Sequence, residues 1–149
     1  MSRMALDHED PLVSLDDLCV AVNELNALMD CEIAIYSGHV IKDQLGDRYS
    51  ATLAACSLWL AQYGNTPSWP STTWPTYSLW QFTDTGQCPG ISGNCDLNTF
   101  NGSAEACARW IGPAEETVEI SRGNVAMELT ASGDISISIS VNGKPWRPM

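Results

Sequence analysis

Apolar runs and apolar stripes alternate along the first hundred residues. "MALDHE" is a short apolar run that ends in charge, the pattern of a buried strand. Beyond it Leu15, Leu18, Cys19, Val22, Leu25 and Leu28 recur at helical spacing. Ser14 stands where an N-cap belongs, and Asp16 and Asp17 suit the positive start of a helix. "CEIAIYSG" is a β-type run closed by glycine, and "HVIKDQLG" reads as one or two helical turns stopped by Gly46. "SLWLAQYG", "YSLWQFTDTG" and "CDLNTF" are further strands, and Ser103 precedes a last helix, "AEACARWI". Between the third and fourth strands lies "NTPSWPSTTWPT", a long loop rich in proline and tryptophan, of the kind that often carries function.

This order of strands and helices, with near-continuous apolar strands, predicts an α/β fold built on a parallel sheet. The pattern changes after Gly112. "DISISISV" alternates with a period of two, and Arg122 to Asn124 and Ser132 to Asp134 have the composition of hairpin turns. The expected organisation is a first unit over 1–112 and a β-rich appendage of two or three antiparallel strands over 113–149.

Composition narrows the partners. With 44% hydrophobic and 17% charged residues, the 149-residue chain is that of a globular protein. No apolar run nears the roughly 20 residues that span a bilayer, and the N-terminus lacks the order of a signal peptide. A net charge of -11 argues against nucleic acid and against anionic membrane surfaces as partners. The six cysteines form no CxxC and two histidines are poor for a zinc site, so little in the sequence points to a metal. Cys19, Cys56 and Cys107 fall in apolar or helical contexts and read as buried thiols. Cys88 and Cys95 flank "PGISGN", where a disulfide is geometrically open.

The chemistry gathers at strand ends: Asp7 and Glu9, Tyr36, Gln62 and Tyr63, Gln81, and Asp96. Polar groups at the carboxyl ends of parallel strands mark the active face of α/β sheets and barrels. Side chains at i and i+2 of a strand share a face, so Asp7 and Glu9 point together and His8 points away. Neighbouring carboxylates resist ionising together, and a protonated acid beside an ionised one is what cleavage of a glycosidic bond needs. Two solvated surface acids are the plainer alternative. Ser37 and His39 do not make a triad, and His39 reads as a helix-start or surface residue.

"ALDHE", "IYSG", "LWLAQYG", "YSLWQFTDTG" and "GISGNCDLNTFNG" occur in this order. Together they resemble the second half of the family 25 glycoside hydrolases, the muramidase-type lysozymes, from Met4 to Ile111. The resemblance implies an irregular β/α barrel that cuts the β-1,4 bond between N-acetylmuramic acid and N-acetylglucosamine in peptidoglycan. It implies that Glu9 donates the proton and that Asp7, of the DxE pair, steadies positive charge or the substrate acetamido group. It implies that Asp96 orients the site and that Tyr36 lines the sugar. Trp59 and Gln81 lie on motif strands and are candidate sugar contacts. Tryptophan fills cores as readily as it lines clefts, which leaves Trp59 and Trp80 open between the two roles.

The family barrel opens on a "GIDVS"-like strand with another essential Asp, and this chain begins at what corresponds to the fourth strand. The expected fold is therefore a partial, truncated β/α barrel followed by a small antiparallel β appendage. An open half-barrel leaves strand edges and inner apolar surface wet. A truncated reading frame, a chain or segment supplying the missing strands, and a degenerate relative each account for it. The expected function is muramidase activity as part of a longer or complemented chain. The alternative is a non-catalytic glycan-binding or phage structural protein of the same fold. Peptidoglycan strands are the expected partner, with action at the cell wall by secretion or in the manner of a phage lysin.

Overall fold

The computed structural model describes residues 2–112 and, beyond them, the strands at 118–122, 125–132, 134–141 and 144–145. The chain divides into two compact units, Met1–Trp110 and Ile111–Met149. The first is built on five strands: β1 (Ser2–Asp7), β2 (Cys31–Ser37), β3 (Ser57–Ala61), β4 (Leu79–Gly86) and β5 (Cys95–Phe100). They lie side by side in chain order. β1 to β4 run parallel, and β5 returns antiparallel to β4, so the sheet is mixed and not wholly parallel as expected. The reason is the connection: β4 and β5 are joined directly by a short loop, and a parallel return needs a crossover of a dozen residues or more. The sheet is a partial barrel.

The helices are α1 (Leu15–Leu28), α2 (His39–Leu45), α3 (Ala51–Ala54) and α4 (Ala104–Ile111). α1 starts on a capping box: Ser14 Oγ accepts from the Asp17 amide, and Asp17 accepts from the Ser14 amide. α2 stops at Gly46, whose φ of 55° few other residues adopt and whose N–H closes on the Lys42 carbonyl. α3 has no counterpart in the sequence pattern, because a single turn is too short to show a period. Ser50 caps it, accepting from the Leu53 amide.

The core lies between one face of the sheet and helices α1 to α3. Ile33, Ile35, Leu58 and Leu60 of the strands meet Leu18 and Val22 of α1, Ile41 and Leu45 of α2, and Leu53 of α3. Of the three thiols expected to be buried, only Cys56 is; Cys19 packs half-buried against the core, and Cys107 is half-buried on α4, a helix with no fully buried residue. The loop between β3 and β4 is fixed by its own tryptophans. Trp69 Nε1 donates to the Trp74 carbonyl and Trp74 Nε1 to the Cys56 carbonyl, with Trp74 inside the core.

Alternation along the strands turns Arg3, Ala5 and Asp7, then Glu32, Ala34 and Tyr36, then Ser57, Trp59 and Ala61 to the opposite face. Its lower part is closed by Trp110 of α4. Arg3 stacks over the Trp110 ring at 4.3 Å, donates through Nε to the Trp110 carbonyl at 2.9 Å, and pairs with Glu32. Its upper part, at the carboxyl ends of the strands, is open.

In the second unit four strands, β6 (Val118–Arg122), β7 (Val125–Ser132), β8 (Asp134–Val141) and β9 (Lys144–Pro145), pair antiparallel in sequence order. That is one or two strands more than the alternation suggested. The expected turn residues Gly123, Asn124 and Gly133 lie outside the described residues.

Candidate active site

Asp7 ends β1 opposite Tyr36, and the ladder runs one step further, from the His8 amide to the Tyr36 carbonyl at 2.9 Å. The burial alternates with it. His8 is 2% exposed, while Asp7 and Glu9 on either side are exposed. The imidazole Nε2 lies 3.0 Å from Gln44 Oε1 of α2, and Ser37 Oγ donates to the His8 carbonyl at 2.5 Å. The strand end is thus anchored from the core side, and the two carboxylates flanking His8 are left to the open face.

The register sets the next residues in a row. Asp7 pairs with Tyr36, and Tyr36 with Trp59. Tyr36 and Trp59 meet edge to face with centroids 5.2 Å apart. Trp59 Nε1 donates to Asn98 Oδ1 at 2.8 Å, and Tyr36 Oη donates to Gln81 Oε1 at 2.9 Å. Gln81 is 3% exposed and pairs with Ala61 on one side and Asn98 on the other. Four strands therefore share one polar and aromatic belt.

Two carboxylates act on it from opposite ends. Burial, and after it the charge of Glu9, push the Tyr36 phenol above the ordinary tyrosine range, with a further contribution from Asp96. Asp96 stands on β5, at the far edge of the sheet from β1. Tyr63 is raised as well, by desolvation first and then by Asp84, Asp96 and Glu9. Glu9 and Asp96 thus each bear on both phenols.

The structure separates the remaining candidates. Trp80 belongs to the core side: it packs on the core cluster and gives Nε1 to the Gln62 carbonyl at 2.6 Å. Trp59 belongs to the open face. His39 is exposed at the start of α2. Cys88 and Cys95 are free thiols. The sequence pattern does not single out Asn98, and marks Tyr63 only as a polar group at a strand end, without a role at the site. Tyr63 was within reach, since it follows Trp59 and Ala61 at alternate positions; Asn98 depends on a strand pairing that no sequence period reveals. Among the described residues no three His, Cys, Asp or Glu side chains gather to hold a metal ion, and no helix is long and apolar enough to cross a membrane.

The partial β/α barrel, with Asp7 and Glu9 exposed at the end of its first strand, has counterparts among known proteins. Residues 18–91 match the sequence model of the glycosyl hydrolases family 25. That span includes Tyr36, Trp59 and Gln81, while Asp7, Glu9 and Asp96 fall outside it. The chain is 40% identical over 57 residues to Lysozyme M1 of Streptomyces globisporus, across 38% of this chain and 19% of that protein. It superposes on the bacterial lysozyme of Streptomyces coelicolor with a TM-score of 0.61 and 27% identity, covering 72% of this chain and 55% of that one. A family 25 glycosyl hydrolase from Bacillus anthracis shares the fold at a TM-score of 0.57 and 19% identity, again over 72% of this chain and 54% of the other. The chain resembles the C-terminal half of the family 25 lysozymes, and spans about a fifth of the matched Lysozyme M1 and about half of these solved relatives.

Proposed function

We propose that the chain carries the acid side of a muramidase site, hydrolysing the β-1,4 bond between N-acetylmuramic acid and N-acetylglucosamine in peptidoglycan. One arrangement supports this most: Asp7 pairs with Tyr36 and Tyr36 with Trp59 across adjacent strands on the open face, with Glu9 exposed just past β1's end and Asp96 exposed on β5. A glycan laid along that face meets a carboxyl group from each side. Glu9, held out of the core by buried His8, is the proton donor to the leaving oxygen. Asp7, one row below on the same face, steadies positive charge at the anomeric carbon or orients the substrate's acetamido oxygen. Asp96 orients the site from the far edge. Tyr36, fixed by Gln81, lines the sugar, with Trp59 behind it; the reaction needs no metal or organic cofactor. A segment or second chain that continues the sheet beyond β1 supplies the other wall of the cleft.

The test is loss of turbidity of purified cell walls. It is run with this chain, with a version extended by the upstream strands of a family 25 relative, and with Glu9→Gln in whichever is active. Lysis that Glu9→Gln abolishes while the circular dichroism spectrum is kept supports the assignment. Full lysis by Glu9→Gln removes Glu9 from the mechanism. Wall binding without lysis in either form assigns the chain to holding glycan instead.

A further inference from the structure

Gln62 spends every polar group it has. Its amide donates to the Gln81 carbonyl at 3.1 Å, and its carbonyl accepts Trp80 Nε1 at 2.6 Å. Its side-chain Oε1 accepts from the Ser68 amide and hydroxyl, both at 3.1 Å, and from Lys42 Nζ of α2. Nε2 donates to the Thr66 carbonyl at 2.9 Å. Two positions on, the Gly64 amide donates to the Phe82 carbonyl at 3.1 Å, with a φ of 127° that favours glycine. Tyr63 is therefore clamped between two anchored residues at the mouth of the open face.

Its ring nevertheless packs on little. Tyr63 is 56% exposed, whereas the Tyr77 ring sits edge-on to both Trp69 and Trp80. The fold gains little from holding an aromatic ring half in water. The charges of Asp84, Asp96 and Glu9 reach it, which disfavours anionic ligands and leaves an apolar ring with a polar tip on a face rich in acceptors. An uncharged N-acetylated pyranose matches that surface: its C–H face lies on the ring and its hydroxyls reach the carboxylates.

We propose that Tyr63 is a further glycan-contact residue, and that Gln62 is the positioning residue that holds the Tyr63 ring over the cleft. This rests on the muramidase reading above. The ring face is the contact, so phenylalanine replaces tyrosine well and alanine does not.

The experiment titrates the full chain with tetra-N-acetylchitotetraose by calorimetry, and follows the tyrosine ring carbons of 13C-labelled protein through alkaline pH. The proteins are wild type, Glu9→Gln, Tyr63→Ala, Tyr63→Phe and Gln62→Ala. Tyr63→Ala is expected to weaken binding about tenfold and Tyr63→Phe by less than about threefold, while Glu9→Gln serves only to stop hydrolysis during the titration. Gln62→Ala is expected to weaken binding and to return the Tyr63 phenol towards the ordinary tyrosine range, leaving Tyr36 where it was. Tyr63→Ala binding as tightly as wild type overturns the contact. A weakened Gln62→Ala with an unmoved Tyr63 titration overturns the positioning role. Flat titrations for both wild type and Glu9→Gln overturn the glycan reading itself, and this inference with it.

Discussion

Tyr36 gives its phenolic hydrogen to Gln81 Oε1 at 2.9 Å, although β3 lies between their strands. The bond is possible because both residues point to the open face and because Ala61, paired with Gln81, is too small to block the path. Gln81→Leu keeps the volume and removes the acceptor from a site 3% exposed. The Tyr36 hydroxyl is only half-buried, so losing its partner costs about 0.5–1.5 kcal/mol. Urea denaturation of Gln81→Leu, Tyr36→Phe and the double variant measures it. The double variant is expected to lose less than the sum of the single changes; strict additivity would show that the two side chains do not communicate.

Gly38 shows how closely the strand ends approach. A Cβ placed there would stand 2.5 Å from the Ala61 carbonyl oxygen, a main-chain atom that no rotamer change moves. Gly38→Ala is therefore expected to destabilise by about 1–3 kcal/mol as β2 and β3 are pushed apart. The added change Ala61→Gly should not rescue it, because the obstacle is the carbonyl and not the methyl. Recovery of the melting temperature in the double variant would place the clash elsewhere.

The elements were legible where a period had room to repeat. Leu18, Val22 and Leu25 declared α1, and Ile33, Ile35, Leu58 and Leu60 declared the strand faces that meet it. The burial alternates from Asp7 to Glu9 as the pleat requires, with His8 inside and the acids on either side exposed. What depends on pairing between strands was hidden. Asn98 receives Trp59 only because β5 runs antiparallel to β4 in one register, and the two hold different sequence positions in no fixed spacing. Trp69 and Trp74 carry the same composition as sugar-binding tryptophans, yet their indole N–H groups find backbone carbonyls inside the fold.

Cys56 links the core to pH. Burial first, and Cys19 next, push its thiol from 9.0 up to about 11. The folded state thus keeps a proton that the unfolded chain releases. The resulting stability is whole below pH 9 and is lost as pH rises through about 11. Cys56→Ala should flatten the fall of unfolding free energy across that window, at the cost of a small cavity at lower pH. In the native wild type, alkylation at pH 8 should reach exposed Cys88 well before Cys56. Equal labelling rates for the two would mean that the Cys56 side chain is open to solvent.

The two tyrosines of the open face report where the acids stand. Among charged groups Glu9 bears most on Tyr36 and Asp96 less, whereas on Tyr63 Asp84 and Asp96 come ahead of Glu9. Removing a negative charge makes the phenolate easier to form, so every neutralising substitution must lower these phenols towards the ordinary value. Glu9→Gln should accordingly move Tyr36 more than Tyr63, and Asp96→Asn should move Tyr63 more than Tyr36. Site-resolved 13C titration of the tyrosine rings reads both in one experiment. The crossed pattern requires Glu9 on the Tyr36 side of the cleft and Asp96 on the Tyr63 side. Two acids so placed can approach a glycosidic bond from different directions, one to protonate the leaving oxygen and the other to orient the sugar. If both substitutions moved the two phenols alike, the carboxylates would share one side, and no sugar lying on this face would have an acid at each flank.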